Sequence, residues 1–520
     1  MEKKKKLIIL GIIALTLVII GTTYAILTWT SGKINLGLTS GCFTIDYTKG
    51  QDISGNLKLL NESDLISNGK FTIKNGIGIS AVNIGINSSC TIEGYGSIYL
   101  NVTNISEAFT TGDSKGALKY AVLSNTSTIT TPSSVTVDSL LNQSFDIVST
   151  GSITSNDTIT LLTKQLSNTE IYKYLVVIYV DNALASNSVT SASFQGNISA
   201  DANQGKYNPA KETLKALNLS LSSGTPNFTK TSTADGTNGI YSAEDDLGTS
   251  YYFRGNVTNN YVKFANKYWR IIRINGDGSI RMIYAGTSAH ANGYDDSSAN
   301  DMNIGTSKIN SSCNDNTYVG YMYGIAGAST YANTHSNTTN STIKTELDSW
   351  YDTNIVNTGN EKYIADAIYC NDRSVSSGTG IGTTKTTYAA ETRKNKGIPT
   401  LKCPNNNDKF TKSTTIGNGK LTKMIGLITS DEVMYAGGAT SPNKEYYLYS
   451  ETWHWTMTPN SFAFVASFNF SGATVNNVDD NGSRNHFFVN NANRVRPVVS
   501  LKSDAISRGS GTATSPFLVG

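Results

Sequence analysis

Histidine is scarce in this 520-residue chain, with four in all, and cysteine, tryptophan and proline number five, five and nine. No two histidines stand four residues apart, which excludes the H-E-x-x-H helix of a zinc protease. No C-x-x-C occurs, so a zinc ribbon and a thioredoxin-like site are excluded as well. There is no G-x-S-x-G elbow. Gly378-Thr379-Gly380-Ile381-Gly382 and Gly417-Asn418-Gly419-Lys420-Leu421 both lack the Gly-Lys-Ser/Thr ending of a phosphate loop. Charge is also thin, at 16% of residues, and Asn, Ser, Thr and Gly fill the polar positions instead. The total of 42 Lys+Arg against 39 Asp+Glu gives a formal charge of +3. The first six residues take four lysines and one glutamate from those totals, leaving 38 of each sign in the body. A neutral body argues against nucleic acid as a partner, which would require a basic stripe. What is present is a 38% hydrophobic fraction, enough to bury cores over two or three domains.

The one long apolar run is N-terminal. Lys3 to Lys6 form a basic cluster, and residues 7–27 follow without a charge. Such a segment spans roughly 30 Å as a helix, the thickness of a bilayer core, and its lysines would stay cytoplasmic. Residues 1–29 therefore read as a signal peptide cut after Ala25, where Thr23 and Ala25 are small, or as a retained transmembrane anchor. The protein is expected in the cell membrane facing outside, or secreted after cleavage near Ala25. The C-terminal residues 514–520 show no sorting motif, so a membrane tether is expected only at the N-terminus. Gly21-Thr22-Thr23-Tyr24-Ala25 resembles the signal junction of the camelysin and biofilm-matrix group, with a departure at Ile26-Leu27-Thr28-Trp29.

Five cysteines suit an exported chain. Cys42 and Cys90 lie in strand-like segments, and Cys370 and Cys403 flank a Gly/Thr/Lys-rich loop. The expected bridges are Cys42–Cys90 and Cys370–Cys403, with Cys313 left over; the alternative is five reduced thiols. Cys313 has no supporting histidine motif for a nucleophile.

The fold expected is mainly β with an α+β C-terminal domain. Residues 33–204 read as a β-sandwich, because short strands such as Ser97-Ile98-Tyr99-Leu100-Asn101-Val102 and 174–180 alternate with turn clusters. Residues 205–239 read as a short helix and linker, with Asn208 as cap and Pro209 at the first helical position. Residues 240–520 form the α+β domain. Its clearest element is a hairpin, 268–274 and 279–284, joined by Asn275-Gly276-Asp277-Gly278. Ile343, Leu347 and Trp350 recur at helical spacing over 341–351. A second helix is expected over 430–436, capped by Ser430 and stopped by Gly437-Gly438. Phe462, Phe464, Phe468 and Phe470 alternate in a late β stretch, and 495–501 makes a further strand.

Several segments of the second domain resemble an uncharacterised family of exported, surface-associated proteins of Gram-positive-type bacteria. They include Glu244-Asp245-Asp246-Leu247-Gly248, 268–284, Tyr318-Val319-Gly320-Tyr321, Cys370-Asn371-Asp372-Arg373-Ser374, 425–433, Trp455-Thr456-Met457-Thr458-Pro459 and Val495-Arg496-Pro497-Val498. The resemblance covers most of 240–520. It implies a surface-associated protein with no assigned reaction, in which Cys370 and Cys403 pair and Cys313 is a departure. The C-terminal end also resembles, distantly, C-type-lectin-like and formylglycine-generating-enzyme-like domains, which implies a compact α+β fold and carries no activity.

Candidate site residues are few. Trp453 and Trp455, flanking His454, would offer an aromatic platform for a glycan or peptide, or else one is core and the other covers a strand edge. Arg484, His486 and Arg494 would hydrogen-bond a ligand, or else are solvated loop residues. Asn477, Asp479 and Asn481 before Gly482 match the first half of a calcium loop, but position twelve is Phe488, which excludes an EF-hand. A looser calcium site at Asp479 and Asp480 competes with an Asn/Asp-rich β-turn. Asp295, Asp296 and Asp301 pose the same choice. No other cofactor is implied. The reading these features favour is a non-catalytic cell-envelope protein, displaying a recognition or adhesion domain on a β-sandwich stalk. Its partners would be the membrane, through the N-terminal segment, and cell-wall material, a host glycan or a surface protein. The alternatives are a structural subunit of a surface fibre or biofilm matrix, and an exported enzyme on a formylglycine-generating-like scaffold.

Overall fold

A computed structural model describes residues 28–29, 42–47, 53–54, 57–86, 88–124, 135–294, 301–465 and 470–520. Strands hold 37% of the chain against 17% in helices, so the protein is mainly β, with several mixed sheets. The chain divides into two compact units, Met1–Tyr207 and Asn208–Gly520. Of the N-terminal leader or anchor only Thr28–Trp29 is described, as a two-residue strand paired with Ile53–Ser54. The rest of that expectation lies outside the described residues. Among the described residues no helix is long and apolar enough to cross a membrane.

In the first unit the main strands are β1 (Phe43–Tyr47), β2 (Gly78–Ile86), β3 (Gly94–Ile105), β4 (Leu118–Ser124), β5 (Ser144–Ser152), β6 (Thr158–Leu166), β7 (Ile171–Asp181) and β8 (Phe194–Gln204). One sheet runs β1-β2-β7-β4-β5 and continues through the short strands Lys70–Thr72 and Ile66–Ser67; a second runs β6-β3-β8. Val82, Ile84, Val122, Val176 and Ile178 of the first sheet share a core with Ile98, Leu100, Leu161 and Ile198 of the second. The opposite face of the first sheet is covered too: Ala121, Leu123, Leu175, Val177 and Tyr179 pack on Leu65, Phe71, Ile73, Leu140 and Phe145. β7 is thus buried on both faces. That explains why 175–180 is a continuous apolar run rather than the alternation of a half-exposed strand. Cys42 and Cys90 are joined, with sulfurs 2.05 Å apart, which ties the start of β1 to the approach to β3. Residues 88–93 form no strand, contrary to the expectation for Cys90-Thr91-Ile92-Glu93.

The second unit begins with helix α1 (Pro209–Ala216), in which the Asn208 side chain accepts from the Lys211 N–H at 2.9 Å. Residues 210–219 pack into this unit. Ala210, Leu214, Leu217 and Leu219 are buried in the core of this unit with Tyr251, Phe253 and Ile274. β9 (Gly239–Glu244), β10 (Thr249–Arg254), β11 (Tyr261–Phe264), β12 (Lys267–Ile274) and β13 (Ile280–Gly286) follow. β12 and β13 form the expected hairpin, and Gly278 takes a positive φ of 88° at its turn. Helix α2 (Thr342–Tyr351) buries Ile343, Leu347 and Tyr351, while Trp350 is half-buried against Trp269 and Tyr284.

Then come β14 (Tyr369–Cys370), β15 (Thr386–Tyr388), helix α3 (Ala389–Lys396), β16 (Lys409–Phe410) and helix α4 (Ser430–Ala436). α4 is capped by Thr429, one residue before the expected Ser430. The Thr429 hydroxyl accepts from the Glu432 N–H, and the Glu432 carboxylate accepts from the Thr429 N–H. Gly437, left-handed at φ 113°, ends the helix as expected. The last strands are β17 (His454–Val465), β18 (Phe470–Val478), β19 (Arg484–Phe488), β20 (Val498–Leu501) and β21 (Phe517–Val519). β17 pairs with β15 and β18, and β18 with β19, in one sheet; β20 pairs with β13 in the other, and β21 with β11. Phe462 is core, Phe464 and Phe470 are exposed, and Phe468 lies outside the described residues.

Candidate functional site: a charged recess beside a disulfide

The recess starts from a conflict within the β12–β13 hairpin. A register shift after Ile271 brings Arg273 directly opposite Arg281. Two like charges facing each other across a ladder repel. Both side chains are buried, where an unpaired cation is far more costly. Glu432 of α4 resolves this. Its Oε1 lies 3.0 Å from Arg273 Nε and 2.6 Å from Arg281 Nε. Burial alone would raise the Glu432 carboxyl, but the charges of Arg281 and Arg273, with the Thr429 N–H, hold it below the ordinary range. Asp245, just after β9, adds a second carboxylate 2.7 Å from Arg273 Nη1.

The neighbouring wall repeats the pattern. Arg393 of α3 grips Asp431 through Nε and Nη2, at 2.8 and 2.9 Å, and reaches Asp372 through Nη1 at 2.8 Å. Burial opposes the charge on Arg393; the hydrogen bonds and charges of Asp431 and Asp372 outweigh it and raise its pKa. Cys370, at the end of β14, is bonded to Cys403 with sulfurs 2.04 Å apart. Asp246 locks that bridge in place, accepting the Cys403 N–H at 2.8 Å and pairing with Lys409 at 2.9 Å.

Asp245, Asp246, Arg273, Arg281, Cys370, Asp372, Arg393, Asp431 and Glu432, with Leu247, Ile368, Thr400, Leu401 and Thr458, line a narrow slot open to solvent. Its five carboxylates (Asp245, Asp246, Asp372, Asp431 and Glu432) meet four lining cations, Arg273, Arg281, Arg393 and Lys402, and Lys409, outside the lining but paired with Asp246, brings the formal sum to zero. The wall is polar but electrically neutral. It suits a ligand of hydroxyls and amides better than an ion.

The chain matches no protein-family model and no curated protein.

The structure separates the candidate ligand, metal and disulfide residues named from the sequence, and of these only Cys370 lines this recess. Trp453 and Trp455 form no platform. Trp455 is fully buried and its indole N–H donates to Ser307 O at 2.8 Å, whereas Trp453 is 38% exposed and packs edge-on against Phe487. Arg484 is not a solvated loop residue: it is 95% buried, and its Nε and Nη1 have no hydrogen-bond partner. Burial lowers its pKa to about 10. His486 shares the Arg484 face of β19 and is half-buried; burial, then Lys394, lowers its pKa. Arg494 is exposed beside Trp453, whose carbonyl accepts the Arg494 N–H at 3.0 Å.

Asp479 serves a turn rather than an open cation site. Its two carboxylate oxygens accept from Asn477 Nδ2 at 2.8 Å and Asn485 Nδ2 at 2.9 Å, closing the β18–β19 hairpin, and Asp480 is exposed. Among the described residues no group of three His, Cys, Asp or Glu is placed to hold a metal ion. Asp295 and Asp296 lie outside the described residues, and Asp301 binds Thr287 and His290. Cys313 is buried, which pushes its thiol up and leaves it a poor nucleophile.

The recess residues carry a signal in the sequence. Tyr268-Trp269-Arg270-Ile271-Ile272-Arg273-Ile274 puts arginines inside an otherwise apolar strand, and a buried arginine demands a partner. The two intrachain disulfides point to an extracytoplasmic, oxidising location.

Proposed function

We propose that this is a cell-envelope protein, exported or anchored through its N-terminal segment, whose second unit is a non-catalytic recognition domain. On this reading the first unit is a β-sandwich stalk and the second is the compact α+β, C-type-lectin-like domain expected from the family resemblance. The observation that carries the reading is the recess beside Cys370–Cys403. Its charged wall groups other than the exposed Lys402 are committed to one another as ion pairs, which leaves mainly neutral polar and apolar surface for contact. Such a wall selects by shape and by hydrogen bonds, and fits a neutral, hydroxyl-rich ligand such as a cell-wall or host glycan. Binding should be insensitive to salt, because no net charge is matched. Incubating the purified chain with isolated cell-wall material and with soluble glycans tests this. Retention that persists at high salt supports the reading, and no retention on either rejects it.

A second reading, a fibre subunit, has one feature in its favour. Among the described residues β6 pairs only with β3, so its outer edge is open to strand addition. A monodisperse monomer with no fibres by electron microscopy would reject it.

A further inference from the structure

Helix α3 lies against the β17–β18 sheet and points two side chains of one face, Glu391 and Lys394, into it. Lys394 is 93% buried, an unusual place for an amine. Its partner is the Glu391 carboxylate: Oε2 is in close contact with Lys394 Nζ. The same oxygen is in close contact with Nδ2 of Asn460. One carboxylate oxygen therefore bridges a buried amine and a buried carboxamide.

The strand is built to make this meeting. On β17 Pro459 faces Val475 and Ser461 faces Thr474, so Asn460 is the extra residue of a bulge. A bulge turns a side chain out of the regular alternation, here toward α3. Asn476 holds the other side. Its Nδ2 donates to the carbonyls of Thr458 and Pro459, both at 3.2 Å, which fixes its Oδ1 toward the pair. That oxygen stands 3.5 Å from Lys394 Nζ and 3.3 Å from Asn460 Nδ2. Asn460 and Asn476 are themselves 2% and 0% exposed, so the amides and the amine are shielded from water, while Glu391 keeps a partly exposed edge. Burial lowers the pKa of Lys394, and the buried Arg484 lowers it further against the opposing pull of Glu391. Both effects favour the neutral, nucleophilic amine.

We propose that Lys394 and Asn460 become joined by an intramolecular isopeptide bond, with Glu391 as the proton carrier. The Lys394 Nζ lone pair attacks Cγ of Asn460 and forms the new C–N bond. Glu391 takes a proton from Nζ and delivers it to Nδ2. The Cγ–Nδ2 bond breaks, and Nδ2 leaves as ammonia. No oxidant or cofactor is consumed. Holding amine and carboxamide on the same carboxylate oxygen replaces a bimolecular encounter, and that carboxyl supplies acid–base catalysis. The product would staple α3 to β17.

Intact-mass and peptide-mapping analysis of the folded full-length chain tests this. The expected mass is one ammonia below that of the disulfide-bonded sequence. Trypsin should release one branched species joining the Lys394 and Asn460 peptides, with no cleavage after Lys394. Lys394→Met should restore the full mass, and Glu391→Gln should leave most of the chain unlinked. Separate Lys394 and Asn460 peptides at their unmodified masses would overturn the proposal. So would an ammonia loss that persists in Lys394→Met, which marks a succinimide at Asn460-Ser461. If the variants fail to fold, the map of the unaltered chain decides alone. The outcome is independent of what the recess binds.

Discussion

Arg281 Nε lies 2.6 Å from Oε1 of Glu432, deep in the second unit, and that oxygen is shared with Arg273. Glu432 also caps α4, so one carboxylate fixes a helix start and the face of a hairpin. Glu432→Gln removes the charge and leaves two arginines facing each other in the interior. Breaking a buried ion pair from one side costs about 3–5 kcal/mol. The denaturant midpoint of the second unit's transition should fall accordingly; a loss within measurement error would mean the cluster is solvated.

His335 and His454 predict an acid weakness. Burial, then Arg373 and Arg496 respectively, lowers each imidazole to about 3. The unfolded imidazole titrates at about 6.5. Above that value neither state binds the proton and the histidines do not affect stability. As pH falls from about 6.5 toward about 3, the unfolded chain binds protons that the folded chain refuses. Stability is then lost at about 1.4 kcal/mol per pH unit for each histidine. Urea unfolding between about pH 6.5 and pH 5, where carboxylates contribute least, should show this slope, and His335→Gln with His454→Gln should flatten it.

The cysteines make a stoichiometric prediction. A thiol reagent should label no cysteine in the native chain, Cys313 alone after denaturation without reductant, and all five after reduction. Replacing Cys370 and Cys403 by serine should cost about 3–4 kcal/mol, since the bridge closes a loop of 33 residues in sequence.

Trp455 and Trp453 should behave oppositely on truncation. Trp455→Ala empties a core position and should cost about 3–5 kcal/mol. Trp453→Ala, at an exposed edge, should change stability by about 0.5 kcal/mol or less. Thermal unfolding of the two variants checks the difference.

Local features of the fold were legible. The β12–β13 hairpin announces itself through Asn-Gly and Asp-Gly steps, and α2 through the spacing of Ile343 and Leu347. The cap of α4 was missed by one residue, because Thr429 and Ser430 are both good caps. Only the Thr429–Glu432 spacing, a capping box, separates them. Long-range features were not legible. Leu219, past the end of α1, shows no local sign of burial until the strands that cover it are in place. Trp453 and Trp455 look equivalent until one turns inward. The recess joins residues from 245 to 458, so no local spacing encodes it. The Glu391 contact with Asn460 depends on a bulge that the sequence does not mark.

Filling the recess tests the central claim most directly. Leu247 is half-buried on its wall, and Leu247→Trp places an indole in the slot without removing a member of an ion pair. Binding of the full chain to isolated cell-wall material should be measured for the unaltered protein, Leu247→Trp and Trp453→Ala, each confirmed folded. The account predicts that Leu247→Trp loses binding at least tenfold and that Trp453→Ala retains it. Unchanged binding by Leu247→Trp would contradict it.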